Sequence, residues 1–275
     1  MKHVLIIDGL NLIHRARVAM FDANNGLTST ALRSVRSLIE RFKPDVAYFV
    51  LEGKPQRRID ESGGTYKAQR VTMDDTFWLQ KRQVIDIIAD HLPVILIRHP
   101  NYEADDVIAH LARHVHIEDR VTVVSTDSDF IQLINNDDRR ISLYSPIKDV
   151  FVDAPGYNYV QWKALRGDGA DNIKGIPGIG NKRAEKLITT PGAIEELFNK
   201  KPETRQIYEH NLSIIGFENL ENSWEKTTQS NPSRTNDNLR LRLQALDFVS
   251  LTREKSWSKW ISSFDRLWIQ FPSQA

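Results

Sequence analysis

The chain has 275 residues, of which 40% are hydrophobic and 27% are charged, and its formal net charge is +1. This composition is ordinary for a globular protein of one large domain or two, and the balanced charge gives no global sign of a nucleic-acid partner. The chain contains no cysteine, which excludes disulfides, thiolate metal sites and a cysteine nucleophile. No apolar run reaches the length of a membrane span or resembles a signal peptide, so we expect a soluble, cytoplasmic protein.

Short β-branched runs predict buried strands, and they alternate with segments of helical periodicity. The runs are HVLII (3–7), VAYFVL (46–51), VILI (94–97), VTVVS (121–125) and, more weakly, ISLYS (141–145) and FVD (151–153). Apolar residues recur at helical spacing over about 30–42, 76–91 and 101–115. Such alternation predicts an α/β fold with a mainly parallel sheet and helices on both faces.

The pattern changes beyond about residue 160, where we expect strands to disappear. A glycine-rich stretch, GDGADNIKGIPGIGNKRAEKL, lies between helical pieces and indicates a small helical module over about 161–235. The stretch 227–238 is the most loop-like, and regular structure then resumes, with Trp257 and Trp260 expected to dock it on the core. The predicted domains are therefore 1–160, 161–235 and 236–275.

Acidic residues follow the predicted strands at the edge where open parallel sheets bind their ligands. The acids expected near this edge are Asp8, Glu52, Glu103, Asp105, Asp106, Asp127, Asp129, Asp168 and Asp171. Singly, each has a plainer role as a turn residue, helix cap or loop acid. In NYEADDVIAHLARHV, for example, the acids suit the first turn of a helix. Jointly, independent caps have no reason to cluster at one edge of one sheet.

Crowded carboxylates predict bound cations. Two like charges about 4 Å apart repel by several kcal/mol at an effective dielectric near 20, so the acids must protonate or hold ions. Oxygen ligands without cysteine or an evident histidine set favour Mg²⁺ or Mn²⁺. The number of acids suggests two ions, or one ion with outer ligands reached through water. Because carboxylate-held metal pairs commonly cleave phosphodiesters, phosphoryl chemistry is the predicted reaction class.

Two basic features indicate a nucleic-acid substrate. Between residues 54 and 82, seven basic residues outnumber four acidic ones, although a solvated surface helix explains this charge equally well. The string GIPGIGNKRAEKL fits a helix-hairpin-helix, whose glycines allow a tight turn with backbone N–H groups facing a phosphate. The DNA-binding residues expected in this hairpin are Gly175, Gly178, Gly180, Lys182, Arg183 and Lys186. Such a hairpin reads the DNA backbone rather than its sequence.

Five motifs resemble those of the 5′-nuclease (flap endonuclease) family and follow the family's order over about residues 3–190. They are IIDGLN, YKAQR, YEADDVIA, VVSTDSDFIQL and GDGADNIKGIPGIGNKRAEKLI. The family includes stand-alone bacteriophage enzymes and the 5′-nuclease domains of bacterial DNA polymerases. The resemblance implies a PIN-like nuclease domain, a helical arch over about 54–85 and a helix-three-turn-helix module that grips duplex DNA. It also implies a metal-dependent 5′-3′ exonuclease and flap endonuclease of DNA replication or repair, which leaves 5′ phosphates.

The resemblance assigns the acids to metal sites. The first site matches Asp8, Glu103, Asp105 and Asp127, with Glu52 contributing. The other positions complete the cluster, the last of them being tied to a second metal; they are Asp106, Asp129, Asp168 and Asp171. The family usually has aspartate where this chain has Glu52, so the longer side chain could shift a metal or reach it through water.

The resemblance also assigns basic and aromatic residues. Lys67 and Arg70 match arch residues that contact the scissile phosphate, and Arg15 matches an arginine near the active site. Tyr66 beside them has two open interpretations, stacking on a base or packing in the core. The hairpin loop around Gly178 matches a backbone-binding loop that can also hold K⁺.

Three alternatives stay open. A PIN-type ribonuclease would share the acidic crevice but has no use for a hairpin that grips a duplex. A phosphoaspartate phosphatase needs a second aspartate two residues after Asp8, where Leu10 stands. A junction-binding protein with a decayed metal site would not be expected to keep every acid. We expect the partners to be DNA with free 5′ ends, flaps or junctions, with RNA–DNA hybrids as further candidates, and we expect a monomer.

Overall fold

The computed structural model describes residues 1–19, 25–69 and 72–271. Its strands in chain order are β1 (His3–Asp8), β2 (Val46–Leu51), β3 (Ile95–Arg98), β4 (Arg120–Val124), β5 (Ile141–Ser145), β6 (Val150–Val152), β7 (Gly167–Asp168), β8 (Ile173–Lys174) and β9 (Thr228–Gln229). Its α-helices are α1 (Gly9–Ala19), α2 (Gly26–Phe42), α3 (Gln56–Glu61), α4 (Asp75–His91), α5 (Ala104–His110), α6 (Tyr159–Arg166), α7 (Asn181–Thr189), α8 (Ala193–Lys200), α9 (Glu203–Ile215), α10 (Asn236–Ala245), α11 (Val249–Thr252) and α12 (Glu254–Ser262). A π-helical turn (Leu111–Val115) continues α5, and 3-10 turns cover Ser128–Leu133, Trp224–Lys226 and Asp265–Gln270.

The main sheet has a parallel centre and antiparallel edges. Its strand order is β6-β5-β4-β1-β2-β3-β9, and the strands from β5 to β3 are parallel neighbours, whereas β6 and β9 pair antiparallel. Ile6 of β1 lies opposite Tyr48 of β2 and Val123 of β4. The predicted mainly parallel sheet is confirmed, and every predicted run forms a strand within one residue of its expected bounds.

Helices cover both faces of the sheet because its central strands are apolar on both sides. In β1, Leu5 and Ile7 belong to the core formed with α1, α2, α4 and the C-terminal helices, while Val4 and Ile6 belong to the core formed with α5. All four side chains are fully buried, as expected for a parallel strand between two helical layers. Burying each of them stabilises the fold by roughly 1.5–3 kcal/mol relative to exposure.

A separate small core joins α6, α7, α8 and α9. It includes Leu165, Ile176, Ala184 and Phe198, and it corresponds to the predicted helical module. The expectation that strands disappear beyond residue 160 is wrong, because β7 and β8 form an antiparallel pair and β9 joins the main sheet. Strands of two residues are too short to carry a periodicity that the sequence could reveal.

The chain returns to the main sheet after α9. Phe217, Leu220 and Trp224 pack in the core on the α5 side, so this part of the predicted module packs on the sheet. Helices α10 to α12 cover the opposite face, where Trp257 and Trp260 are 5% and 0% exposed. The predicted docking of the two tryptophans is confirmed, whereas the domain limits at 160 and 235 stay predictions.

Candidate active site

The acidic cleft lies at the carboxyl edge of the parallel strands. Asp8 is the last residue of β1, Glu52 directly follows β2, and Asp127 precedes the 3-10 turn after β4. Asp8 is held in place by two neutral donors: the Asn11 N–H at 3.1 Å and the Ser125 hydroxyl at 2.8 Å. The common direction of the strands therefore brings together acids that are distant in sequence, as the strand pattern predicted.

Three acids, Asp8, Asp105 and Asp127, form what we call the first cluster. Burial, reinforced by the charges of Asp127 and Glu52, raises the pKa of Asp8 to about 6. Burial also raises the pKa of Asp105 well above its usual range, and Asp8 and Asp127 raise it further. Ionisation of Asp8 and Asp105 is therefore unfavourable unless a cation compensates it.

Asp129, Asp168 and Asp171 form the second cluster. One carboxylate oxygen from each lies within 4.8 Å of the others, although Asp129 is 39 and 42 residues from Asp168 and Asp171 in sequence. Burial raises the pKa of Asp129 to about 6, and the charges of Asp127 and Asp168 add to this effect. Since Asp127 influences acids of both clusters, the two form one continuous negative cleft.

Lys163 of α6 lies inside the second cluster. Its side chain is buried, and its Nζ contacts Asp129 Oδ1 and lies 2.5 Å from Asp168 Oδ2. Burial raises the pKa of Asp168, but the Lys163 ammonium outweighs this effect and holds that pKa below its usual range. Likewise burial lowers the pKa of Lys163, while Asp129 and Asp168 raise it more. The lysine is therefore charged.

Glu103 connects the cleft to the arch. It accepts hydrogen bonds from Lys67 Nζ at 2.6 Å, from the Tyr66 hydroxyl at 2.8 Å and from Arg58 Nη1 at 2.6 Å. Burial raises the pKa of Glu103, but Lys67 and Arg58 together lower it below its usual value. Lys67 also lies 3.7 Å from Asp171, and its backbone is left-handed with φ of 53°. A left-handed backbone is uncommon for a lysine, and here it accompanies the contact of Nζ with the cleft.

Asp106 is the innermost acid of the EADD motif. Its carboxylate receives two hydrogen bonds from Arg58, at 2.7 and 2.8 Å, and one from the Glu218 N–H at 2.9 Å. It also accepts a weaker bond from the Glu103 N–H at 3.3 Å, which caps the start of α5. The helix-start interpretation of this motif is confirmed, and the assignment of Asp106 to a metal stays a prediction.

The remaining predicted side chains have distinct surroundings. Tyr66 is 8% exposed, so in this conformation it packs inside the arch and orients Glu103. Glu52 interacts electrostatically with Asp8 and Lys81, which places it at the rim of the first cluster. Arg15 is half-buried on α1 and interacts with Tyr144 of β5. Arg70 lies outside the described residues.

The hairpin between α6 and α7 has the predicted geometry of a tight turn. Gly178 has a φ of +78°, and a Cβ on Gly175 would lie 2.2 Å from the carbonyl carbon of Arg166. Gly180 caps α7 without a side-chain hydrogen bond to the helix N–H groups. The basic residues beside it are exposed; they are Lys182, Arg183 and Lys186. Gly175 is thus explained by close backbone packing, and the DNA contacts of this loop stay predictions.

Sequence reasoning missed four partners of the acids. In the sequence, Arg58 is one of the seven basic residues between 54 and 82. In the structure it is the buried partner of Glu103 and Asp106. Lys163 lies five residues before Asp168, but no pattern predicted its contact with Asp129. Asn11 and Ser125 stand within or beside quoted motifs, where the only available signal was their closeness to Asp8 and Asp127.

Two family descriptions match the chain in sequence. Residues 3–160 match "5′-3′ exonuclease, N-terminal resolvase-like domain", and residues 154–232 match "5′-3′ exonuclease, C-terminal SAM fold". The chain belongs to the 5′-3′ exonuclease family. The family membership that the five motifs indicated is therefore confirmed, and the protein is a nuclease of this family. Among the described residues of this 5′-3′ exonuclease, no helix is both long and apolar enough to cross a membrane.

Curated relatives agree with this assignment. A 5′-3′ exonuclease of Mycoplasmopsis pulmonis is 29% identical over 221 residues, which cover 74% of this chain and 71% of that protein. The thermostable DNA polymerase I of Thermus thermophilus is 31% identical over 227 residues, which cover 74% of this chain. The matched part is only 26% of the polymerase, so the likeness concerns one portion of that enzyme.

Solved structures share the fold. The T5 D15 protein, co-crystallised with metal ions, superposes with a TM-score of 0.63 at 20% identity, covering 95% of this chain and 99% of that chain. The catalytic core of Rad2 in complex with DNA superposes with a TM-score of 0.52 at 15% identity, covering 98% and 92%. The predicted PIN-like sheet with an appended helical module is confirmed by these neighbours.

Proposed function

We propose that this 5′-3′ exonuclease is structure-selective and hydrolyses DNA at free 5′ ends and at 5′ flaps, using divalent ions held in the acidic cleft. Hydrolysis adds water to phosphorus and breaks the P–O3′ bond, leaving a 5′ phosphate and a 3′ hydroxyl. The observation that carries the proposal is the convergence of carboxylates at one sheet edge, where Lys67 of the predicted arch contacts Glu103.

The residues of the cleft fit hard divalent ions. All donors are carboxylate oxygens, and burial disfavours the ionised forms of Asp8, Asp105 and Asp129, so a bound cation would stabilise them. We propose that the first cluster holds one ion and the second cluster another. Bound divalent ions supply an activated water for in-line attack and offset the charge of the phosphate. Of the divalent ions, Mg²⁺ is the one we propose, with Mn²⁺ as a substitute.

The chain's own residues position the substrate. Lys67 and Arg70 of the arch would bind the scissile phosphate and offset its charge. Because Lys67 contacts Glu103 and Asp171 in this structure, it must exchange these carboxylates for the phosphate when substrate enters. Arg58 and Tyr66 then keep Glu103 oriented from behind.

The helical module would grip the duplex beside the cleft. The N-terminus of α7 presents backbone N–H groups with no side-chain cap, and three exposed basic residues surround it. This arrangement suits a phosphate of the DNA backbone. We propose further that K⁺ binds in the same hairpin loop and that the enzyme acts as a monomer. The T5 D15 and Rad2 proteins, which share this fold, have been solved in complex with DNA, which supports DNA as the ligand.

A panel of labelled substrates tests the proposal. The panel contains a 5′ flap, a 3′ flap, a blunt duplex, a 5′-flapped RNA–DNA hybrid and single-stranded RNA, each incubated with Mg²⁺. We expect cleavage near the junction of the 5′ flap and at the free 5′ ends of the blunt duplex, with no cut at the junction of the 3′ flap. Preferential cutting of single-stranded RNA would instead support the PIN-type ribonuclease. Tight junction binding without cleavage in Mg²⁺ or Mn²⁺ would support a purely binding role.

A further inference from the structure

A buried lysine occupies the centre of the second cluster. Lys163 is 2% exposed, and its Nζ contacts Asp129 Oδ1 and lies 2.5 Å from Asp168 Oδ2. Asp129, Asp168 and Asp171 each have a carboxylate oxygen that lies within 4.8 Å of the other two. The lysine ammonium and a divalent ion would therefore be bound by the same carboxylates.

The helix that carries Lys163 is fixed, so only the side chain could release the carboxylates. Ala164 and Leu165, next to it on α6, are fully buried in the core of the helical module, so the backbone cannot withdraw. The four-carbon stem has rotatable bonds and ends in a compact charge. Release of the carboxylates would therefore require rotation about the bonds of this stem, not movement of the helix.

The two clusters differ in how their acids are held. Asp8 of the first cluster accepts hydrogen bonds from neutral groups, the Asn11 N–H and the Ser125 hydroxyl. Asp129 and Asp168 of the second cluster are both paired with the Lys163 cation. Asp105 of the first cluster also interacts electrostatically with the Lys67 cation, so the contrast concerns Asp8. A metal bound at Asp8 keeps its neutral donors in place, whereas a metal entering the second cluster must displace a positive charge or bind beside it.

We propose that Lys163 is an internal counter-ion of Asp129 and Asp168 that competes with a divalent ion for the second cluster. The second ion then binds more weakly than the first, and Lys163 releases the two carboxylates when it binds. This inference rests on the proposed function, because it takes the second cluster to be a metal site. Lys163 acts through the acids and is in this sense a positioning residue.

Titration with Mn²⁺, followed by the paramagnetic resonance signal of the free ion, tests the inference on the full chain after chelator treatment. For the wild type we expect one tight and one weak class of site. Lys163→Met keeps the length of the stem and removes the charge, so the weak class should tighten at least about tenfold. Lys163→Arg keeps the charge and should leave the second site weak. Lys200→Met is the matched control, because Lys200 lies on α8 of the same module with a 77% exposed side chain.

The outcomes separate the inference from the proposed function. If Lys163→Met binds the second ion no more tightly than the wild type, or loses it, Lys163 merely supports the cluster and the inference is overturned. If the wild type and Lys200→Met bind no Mn²⁺, the metal cleft itself fails, and both proposals fall together. If Lys163→Met unfolds in chelator, Lys163→Gln, which also removes the charge but keeps a polar end group, is titrated in its place. A second site tighter than that of the wild type supports the inference, and an equal or weaker second site overturns it.

Discussion

Arg58 and Asp106 form a parallel two-bond ion pair inside the protein. Arg58 Nη2 donates to Asp106 Oδ1 at 2.7 Å and Nη1 donates to Oδ2 at 2.8 Å, and the residues are 2% and 0% exposed. The same guanidinium donates to the carbonyl oxygens of Ile214 and Gly216 at 3.0 and 3.1 Å. Arg58 therefore ties the arch helix α3, the start of α5 and the end of α9 to one another.

Replacing Arg58 should destabilise the protein strongly. Arg58→Met would leave the buried Asp106 carboxylate without its charged partner and would remove one of the two cations that contact Glu103. Breaking a buried pair in this way typically costs about 3–5 kcal/mol. Urea unfolding in the presence of chelator measures this loss. As control, Arg234→Met breaks a half-exposed pair with Asp265 and should cost less than about 1 kcal/mol. Equal losses of unfolding free energy in the two variants would mean that the buried pair stabilises the protein no more than the half-exposed pair does.

Lys67 should matter for cleavage more than for folding. Lys67→Ala removes a cation that would stabilise the charge on the scissile phosphate, so we expect kcat to fall by about 10²-fold or more. Removing the ammonium from Glu103 also frees a carboxylate, so Mg²⁺ binding should be equal to that of the wild type or tighter. Single-turnover cleavage of a 5′ flap and calorimetric titration of Mg²⁺ measure the two effects. A normal rate with weaker Mg²⁺ binding would contradict this role.

Substitution of Tyr66 distinguishes between two roles of this residue, orienting Glu103 and stacking on a base. Tyr66→Phe keeps the aromatic ring but removes the hydroxyl that donates to Glu103 at 2.8 Å. A hydrogen bond to a charged group contributes about 1.5–3 kcal/mol, so we expect kcat to fall about tenfold or more while KM stays near the wild-type value. If Tyr66 served mainly to stack on a base, the phenylalanine variant would cleave at the wild-type rate and Tyr66→Leu would raise KM.

Asp8 should make the stability of the metal-free protein depend on pH. Burial, with the charges of Asp127 and Glu52, raises its pKa from 3.8 to about 6, so the folded state binds this proton more tightly than the unfolded state. Stability from this group is therefore present below about pH 4 and is lost as pH rises through 6. In chelator at pH 7.5, Asp8→Asn should be more stable than the wild type by about 1–3 kcal/mol.

Urea unfolding between pH 4 and pH 8 checks this prediction. The advantage of Asp8→Asn should vanish near pH 4, and saturating Mg²⁺ should reverse it at pH 7.5, since only the carboxylate binds the ion well. Asp237→Asn, an exposed aspartate on α10, is the control and should show neither effect. A variant less stable than the wild type at every pH would mean that the hydrogen bonds of Asp8 outweigh its desolvation.

The hairpin should control binding through salt-sensitive contacts. If Lys182 contacts a phosphate, Lys182→Ala should weaken binding to all duplex sequences alike and reduce the slope of log K against log salt by about 1. Gly178→Ala should weaken binding as well, because its φ of +78° strains any L side chain. Fluorescence anisotropy with Ca²⁺ in place of Mg²⁺ measures both. An unchanged slope of log K against log salt in Lys182→Ala would show that Lys182 does not contact a phosphate.

The sequence predicts the sheet and the positions of its acids well, for a physical reason. Parallel strands leave a local apolar signature, and the residue that follows each strand must lie at the shared carboxyl edge, so Asp8 and Asp127 could be placed without the structure. The sequence also predicts the start of α5 near Glu103, because a helix cap depends on neighbours within one turn.

The partners of the acids could not be predicted in the same way. Arg58 lies 45 and 48 residues from Glu103 and Asp106, and Lys163 lies 34 residues from Asp129. No periodicity connects residues so far apart, and the sequence alone does not distinguish a buried basic residue from an exposed one. Only the packing of α3 and α6 against the cleft distinguishes Arg58 and Lys163 from the other basic residues.

Cleavage of an end-labelled 5′-flap DNA tests whether metal ions in the acidic cleft carry the reaction. The wild type, Asp127→Asn and the control Asp237→Asn are compared in Mg²⁺, and the wild type also in chelator. If bound metal ions carry the reaction, the wild type and the control cut near the flap junction, and the cut is lost in Asp127→Asn and in chelator. Cleavage that persists in Asp127→Asn or in chelator would contradict a reaction carried by metal ions in the acidic cleft.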